Sequence, residues 1–183
     1  MAGDYVARAR DERVEIVEYD PAWPQRFAEE AAALRALLPE RLVGRIEHFG
    51  STAVPGMPAK PIIDMIVEVP DLEAVRREVA PLLVARGYEF FWRPTSPGDP
   101  DIDYAWFIKR DAAGRRTHHI HFLPPGSPYW DRLGFRDLLI ADPALARAYA
   151  AVKRQAATSR PEDRAAYARA KGDFIREALG KRR

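Results

Sequence analysis

At 183 residues the chain suits one domain, or one domain with a helical appendage, and an apolar fraction of 47% lets it bury a core. Its 29 basic and 27 acidic side chains leave a formal charge of +2, too balanced to imply a nucleic-acid partner. The absence of cysteine excludes disulfides and thiolate metal centres.

Met1 to Arg13 reads as a polar lead-in without the apolar stretch of a signal peptide, leaving 14–183 as a single domain. No apolar run approaches the roughly 20 residues that cross a bilayer, so a cytoplasmic protein is expected. Val14, Ile16 and Tyr19 suggest a short extended segment ending at Asp20-Pro21. A helix should follow, with Asp20 as cap, Pro21 in the first turn, and Phe27, Ala31, Leu34, Leu37 and Leu38 at helical spacing. Leu42 to Phe49 alternates like a half-buried strand, and Gly50 to Lys60, with two Gly and two Pro, must be a loop. Ile62 to Val69 is almost continuously apolar and β-branched, as in a central strand covered on both faces. Asp71 can cap a helix from Leu72 to Arg86, closed by Gly87, in which Pro81 predicts a kink or early stop.

Three further strands are expected at Tyr88–Trp92, Tyr104–Lys109 and Thr117–Leu123, with Asp111–Gly114 as the hairpin turn between the last two. Arg93 to Pro100 makes a long loop, flanked by Arg93 and by the acids Asp99, Asp101 and Asp103, and one of these acids would be a candidate extra carboxylate. From Pro128 on, Trp130–Ile140, Pro143–Ala157 and Pro161–Leu179 read as Ala/Arg/Leu-rich helices, with Lys181-Arg182-Arg183 as a solvated tail. The pattern is an α/β (α+β) fold: a mixed sheet flanked by helices, with 128–180 as a C-terminal helical layer.

The most informative stretch runs from His48 to Asp64. A Gly50-Ser51 step leaving a strand lets the backbone approach a bound group, and Ser51 and Thr52 offer donors to phosphate oxygens. A plain turn would use the same residues. Lys60 places a cation at the loop's far end. Asp64 is the lone acid near the start of an apolar strand, where an unpaired carboxylate is costly; its alternatives are a bond to backbone N–H groups, a pair with Lys60, or a functional site.

The segment from His48 to Val69 resembles the signature of the GrpB (UPF0157) family, which belongs to the nucleotidyltransferase superfamily. The resemblance runs from about Val14 to Leu179. It implies a nucleotidyltransferase-like fold in which Gly50, Ser51 and Thr52 hold phosphates and Asp64 binds a divalent ion, Mg2+ or Mn2+. In the superfamily a second acid two residues on shares that role, because residues i and i+2 of a strand face the same way, roughly 6–7 Å apart. Here that position is Ile66, and Glu68 lies too far along, a departure that the GrpB family shares.

Thr117 to Leu123 holds three of the four His. His119 and His121 alternate on one strand face, a platform for a metal such as Zn2+, for a phosphate, or for acid–base work. A His-Leu-His strand recurs at this place in GrpB proteins. Downstream, Phe135-Arg136-Asp137 and the pairs Tyr149/Lys153 and Tyr167/Lys171 resemble family positions. If the helical layer folds over the sheet, Arg136, Lys153 and Lys171 add positive charge for phosphates; otherwise they are solvated helix faces.

The residues and the resemblance together imply a metal-assisted nucleotidyl or phosphoryl transferase acting on a small molecule, with Asp64, His119 and His121 as catalytic or metal-binding groups. The alternative is a repurposed domain that binds a nucleotide or a phosphorylated cofactor such as a coenzyme A precursor. A hydrolytic metalloenzyme is a third reading.

Overall fold

A computed structural model describes residues 14–92, 103–159 and 163–180. The lead-in 1–13, the loop acids Asp99 and Asp101 with Arg93, and the basic tail lie outside them.

Helix α1 (Trp23–Leu37) starts where Asp20 Oδ1 accepts from the Ala22 N–H at 2.9 Å, and Leu38 leaves it in an extended conformation ahead of Pro39. The strand expected from Leu42 is shorter. Glu40–Leu42 forms a 3-10 turn, with Leu42 N bonded to Pro39 O at 2.8 Å, and strand β1 covers only Ile46–Phe49. Leu42 and Val43 both bury in the core through that turn, so their burial does not alternate.

Strand β2 (Ile63–Glu68) has Met65, Ile66 and Val67 at 0% exposure, as a strand covered on both faces requires. The Asp71 carboxylate caps the next helix by accepting from Ala74 N at 2.7 Å. This helix, α2 (72–84), passes through a π-helical turn at Val75–Val79 before Pro81, in place of the expected break. The Ala80 N–H reaches back to Val75 O, and the widened turn precedes the one residue that lacks an N–H to donate. Strands β3 (Glu89–Trp92), β4 (Ala105–Arg110) and β5 (Arg116–Leu123) follow, with Gly114 at φ 78° in the turn between the last two.

The five strands are ordered β1-β2-β5-β4-β3. Only the central β2–β5 pair is parallel; every other neighbouring pair is antiparallel. Helices α1 and α2 cover one face over a core that includes Trp23, Leu34, Met65, Val67, Leu83 and Phe122. The other face carries Phe49, Ile66, Tyr104, Leu123, Tyr129 and Trp130. Helices α3 (Arg132–Ala141), α4 (Pro143–Ser159) and α5 (Arg164–Gly180) form the C-terminal layer. Their core takes in Val54 and Met57 from the Gly-rich loop, beside Phe135, Leu139 and Tyr149. Burying two such side chains contributes about 1.5–3 kcal/mol each, which ties the loop to the helices.

Candidate functional site

The register of the parallel pair sets Asp64 opposite His119 and Ile66 opposite His121. Side chains at matched positions of neighbouring strands point to the same face. The contact that results is a 3.0 Å hydrogen bond between His119 Nδ1 and Asp64 Oδ1. Asp64 keeps 26% of its side chain open to solvent, whereas the His119 side chain is 9% exposed. On the far side of the imidazole, Arg116 Nη1 lies 3.4 Å from Nε2. A guanidinium can only donate, so Nε2 accepts and Nδ1–H is the donor to the carboxylate. Burial alone would raise the Asp64 carboxyl. The hydrogen bond from His119 and the charge of Lys60, joined in acid by the two imidazoles as they protonate, outweigh it and hold the carboxyl well below its usual range. His119 is pushed down to about 3 by burial, against the pull of Asp64. At neutral pH the pair is therefore a carboxylate accepting from a neutral ring.

The other Asp64 oxygen faces the Gly50–Ser51 turn. Gly50 has φ 71°, and a Cβ built there would sit 2.7 Å from Asp64 Oδ2. Both the backbone conformation and the close approach require glycine. The Ser51 hydroxyl shares a hydrogen bond with Tyr149 of α4. Thr52, expected beside it as a phosphate donor, instead points inward at 1% exposure, with Oγ1 3.0 Å from His48 Nε2 and 3.5 Å from Ile62 O. Its hydroxyl closes the loop.

Cations converge from the helical layer. Lys153, 0% exposed, donates through Nζ to Pro58 O and lies 5.0 Å from the Tyr149 ring centre. Lys60 and Lys171 approach the Tyr167 ring at 5.7 and 5.1 Å. Burial first, then the charges of Lys171, Arg154 and Lys60, push Lys153 down to about 7, with Asp64 pulling the other way. The guanidinium of Arg132, which opens α3, sits 4.3 Å over the Tyr129 ring and within the field of Asp64 and Tyr149. Arg136 does not join them. It clamps α3 to β1 by donating to His48 O at 2.7 Å and pairing with Glu47 and Asp137 at 3.3 and 2.7 Å.

His121 and Glu68 are engaged by other neighbours. His121 is packed among Phe49, Tyr104, Trp106 and Tyr129, with ring centres 5.1–6.1 Å away. Its Nδ1 is buried without a partner among the described residues, and burial holds it down to about 4. Glu68 is held by Arg45 at 3.0 Å. Among the described residues no three His, Asp or Glu side chains gather as a metal-binding group.

His48, Arg116 and Arg132 were missed by sequence reasoning. Arg116 precedes the histidine strand and Arg132 starts a helix, positions where an arginine is ordinarily solvated. The one available signal was the aromatic run Pro128-Tyr129-Trp130 just ahead of Arg132.

The family model described as GrpB protein matches residues 13–181, nearly the whole chain and all of this site. The chain belongs to the GrpB family. It is 43% identical to a UPF0157 protein of Pseudomonas aeruginosa over 98% of its own length and 72% of that protein's. It also matches a dephospho-CoA kinase of Mycolicibacterium paratuberculosis, at 32% identity over 90% of this chain and 45% of the kinase. Among solved structures, the GrpB crystal structure from Enterococcus faecalis aligns with a TM-score of 0.72 at 33% identity, covering 92% of this chain and 99% of that one. The Cid1 poly(U) polymerase with Mg 3'-dATP bound aligns with a TM-score of 0.52 at 17% identity, over 91% of this chain and 52% of Cid1. That likeness places the GrpB chain in the nucleotidyltransferase-like fold and carries no activity with it.

Proposed function

We propose that the cleft under the Gly50–Ser51 turn binds the phosphates of a nucleotide or of another phosphorylated small molecule, a coenzyme A precursor among them. The observation that supports this best is the balance of charge around Asp64. The field of one carboxylate is shared by Lys60, Lys153 and Arg132, and Lys171 adds its charge beside Lys153. Lys153, whose basicity is lowered by burial first and by neighbouring cations second, is stabilised by an anion. Ligand oxygens take the Ser51 hydroxyl in place of Tyr149 and receive the ammonium groups as donors.

Transfer of a nucleotidyl or phosphoryl group to a small molecule is the second reading, and Asp64 favours it. A two-ion centre does not fit the residues present: Ile66 at the second position is wholly buried, and Glu68 is bound to Arg45. A single hard cation fits, with Asp64 and ligand phosphates as oxygen donors. Such an ion would neutralise charge developing on the phosphate. In this reading His119 orients Asp64 and keeps it ionised, and the lysines hold the phosphates in place. A zinc centre built on the imidazoles has less support, since His119 Nδ1–H is directed at Asp64 and His121 faces aromatic rings.

A thermal-shift panel of nucleoside triphosphates and coenzyme A intermediates, with and without Mg2+, Mn2+ or Zn2+, tests both readings. Saturation to 100 times Kd stabilises by about 2.7 kcal/mol, or roughly 5–11 °C for a domain of this size. Stabilisation without metal supports binding alone. Stabilisation by a triphosphate that needs a divalent ion and Asp64 supports transfer. No shift with any phosphorylated compound defeats the proposal.

A further inference from the structure

Gly50 leaves the Gly50–Ser51 turn without a conformational preference of its own, so something else must hold the turn against Asp64. The far end of the loop is anchored by Val54 and Met57 in the helical core and by Lys153 on Pro58 O. At the near end stands His48, the residue before Phe49 on β1. Its ring lies flat on Phe27 of α1, with centres 4.8 Å apart and planes 9° from parallel. Its backbone oxygen is fixed by Arg136 of α3 at 2.7 Å. With the ring packed on Phe27 and the backbone fixed by Arg136, Nε2 meets Thr52 Oγ1 at 3.0 Å. Thr52 passes the contact on to Ile62 O at 3.5 Å, two residues ahead of Asp64.

We infer that His48 is a positioning residue for the Gly50–Ser51 turn, acting through the buried Thr52 hydroxyl to set the approach of Gly50 to Asp64. The relay joins the strand that enters the turn, the turn itself and the entry to the strand that carries the carboxylate. It makes the anion cradle a property of α1, β1 and α3 together. Neither His48 nor Thr52 touches the ligand in this arrangement. The functional consequence rests on the phosphate-site reading above; the mechanical one does not.

Two readouts separate these. Amide hydrogen exchange over residues 50–53 of the free protein reads the turn, and titration with ATP reads the cradle. His48→Phe keeps the stack on Phe27 and removes the ring nitrogens; His48→Gln restores a polar group of similar reach; Thr52→Val removes the hydroxyl at constant shape. Losing one buried hydrogen bond corresponds to about tenfold in a local opening equilibrium. Exchange at 50–53 should therefore quicken about tenfold in His48→Phe and in Thr52→Val, and return to within about threefold of wild type in His48→Gln. ATP affinity should weaken in parallel, and the double variant should be no worse than either single one. Unchanged exchange at 50–53, additive effects, or failure of Gln to restore would overturn the role of His48. Should His48→Phe fail to fold, the Thr52→Val and His48→Gln pair makes the same decision. If wild-type protein does not bind ATP, the phosphate-site reading loses that ligand, and the exchange data alone decide the relay.

Discussion

Lys153→Met should make the protein more stable at pH 6 while removing its affinity for phosphates. Lys153 of α4 is wholly buried, and its ammonium is disfavoured first by burial and then by Lys171, Arg154 and Lys60. A fall from 10.5 to about 7 corresponds to about 5 kcal/mol of strain on the charged form. The folded-state value lies below the unfolded one, so the unfolded chain holds more protons between pH 7 and 10.5. Stability of the wild type should therefore rise with pH across that window, with the full penalty present below pH 7. Methionine removes the charge at similar volume. It also leaves Pro58 O without its donor, a cost of about 1–3 kcal/mol. The net gain at pH 6 is about 2–4 kcal/mol, or roughly 4–16 °C in Tm for a domain of this size. Thermal melts of both proteins at pH 6 and pH 9.5 measure it. The gap should shrink as pH rises, and added pyrophosphate should stabilise the wild type alone. A variant less stable than wild type at pH 6, or a gap that does not change with pH, would refute the view that Lys153 is strained in the absence of an anion.

Gly50→Ala should destabilise the fold by about 1–3 kcal/mol through its positive φ and the approach to Asp64, and abolish ATP binding; melts and calorimetric titration measure the two effects. Asp64→Asn should retain metal-independent ATP binding and lose any part that needs Mg2+, read as the thermal shift with and without the ion. His48, His119 and His121 stay neutral in the folded state with values of about 3–4, below the 6.5 of an ordinary imidazole. Unfolding must protonate them, so stability should fall as pH drops from 6.5 toward 4, and His121→Phe, set among aromatic rings, should lower that dependence by about one proton in urea melts. Glu68→Gln should leave ATP affinity within about twofold, because Glu68 is engaged by Arg45; a larger loss would place it in the cleft.

The parts of the site that could be read from the sequence are those carried by periodicity and by incongruity. Asp64 stood out because an acid interrupts the start of an apolar strand, and the alternation of His119 and His121 gave their shared face. What the sequence could not show is which way each polar group turns once the loop closes. Ser51 and Thr52 are chemically alike and adjacent, yet one faces the cleft and the other bonds to His48. Arg136 and Arg132 lie one helical turn apart on α3, and only the crossing of that helix over β1 decides which is drawn to Glu47 and which is laid over the Tyr129 ring. His119 and His121 share a strand face, but strand neighbours give the first a carboxylate and the second a ring of aromatics. The 3-10 turn at Glu40–Leu42 and the π-helical turn before Pro81 likewise follow from packing around a proline.

If the Gly50–Ser51 turn and its lysines form a phosphate site, a crystal structure of the protein soaked with ATP will show phosphate oxygens within about 3 Å of Ser51, with Lys60, Lys153 and Lys171 as donors and Asp64 at their edge. Nucleotide bound elsewhere, with the Ser51–Tyr149 hydrogen bond and the Lys153–Pro58 contact unchanged, would contradict it.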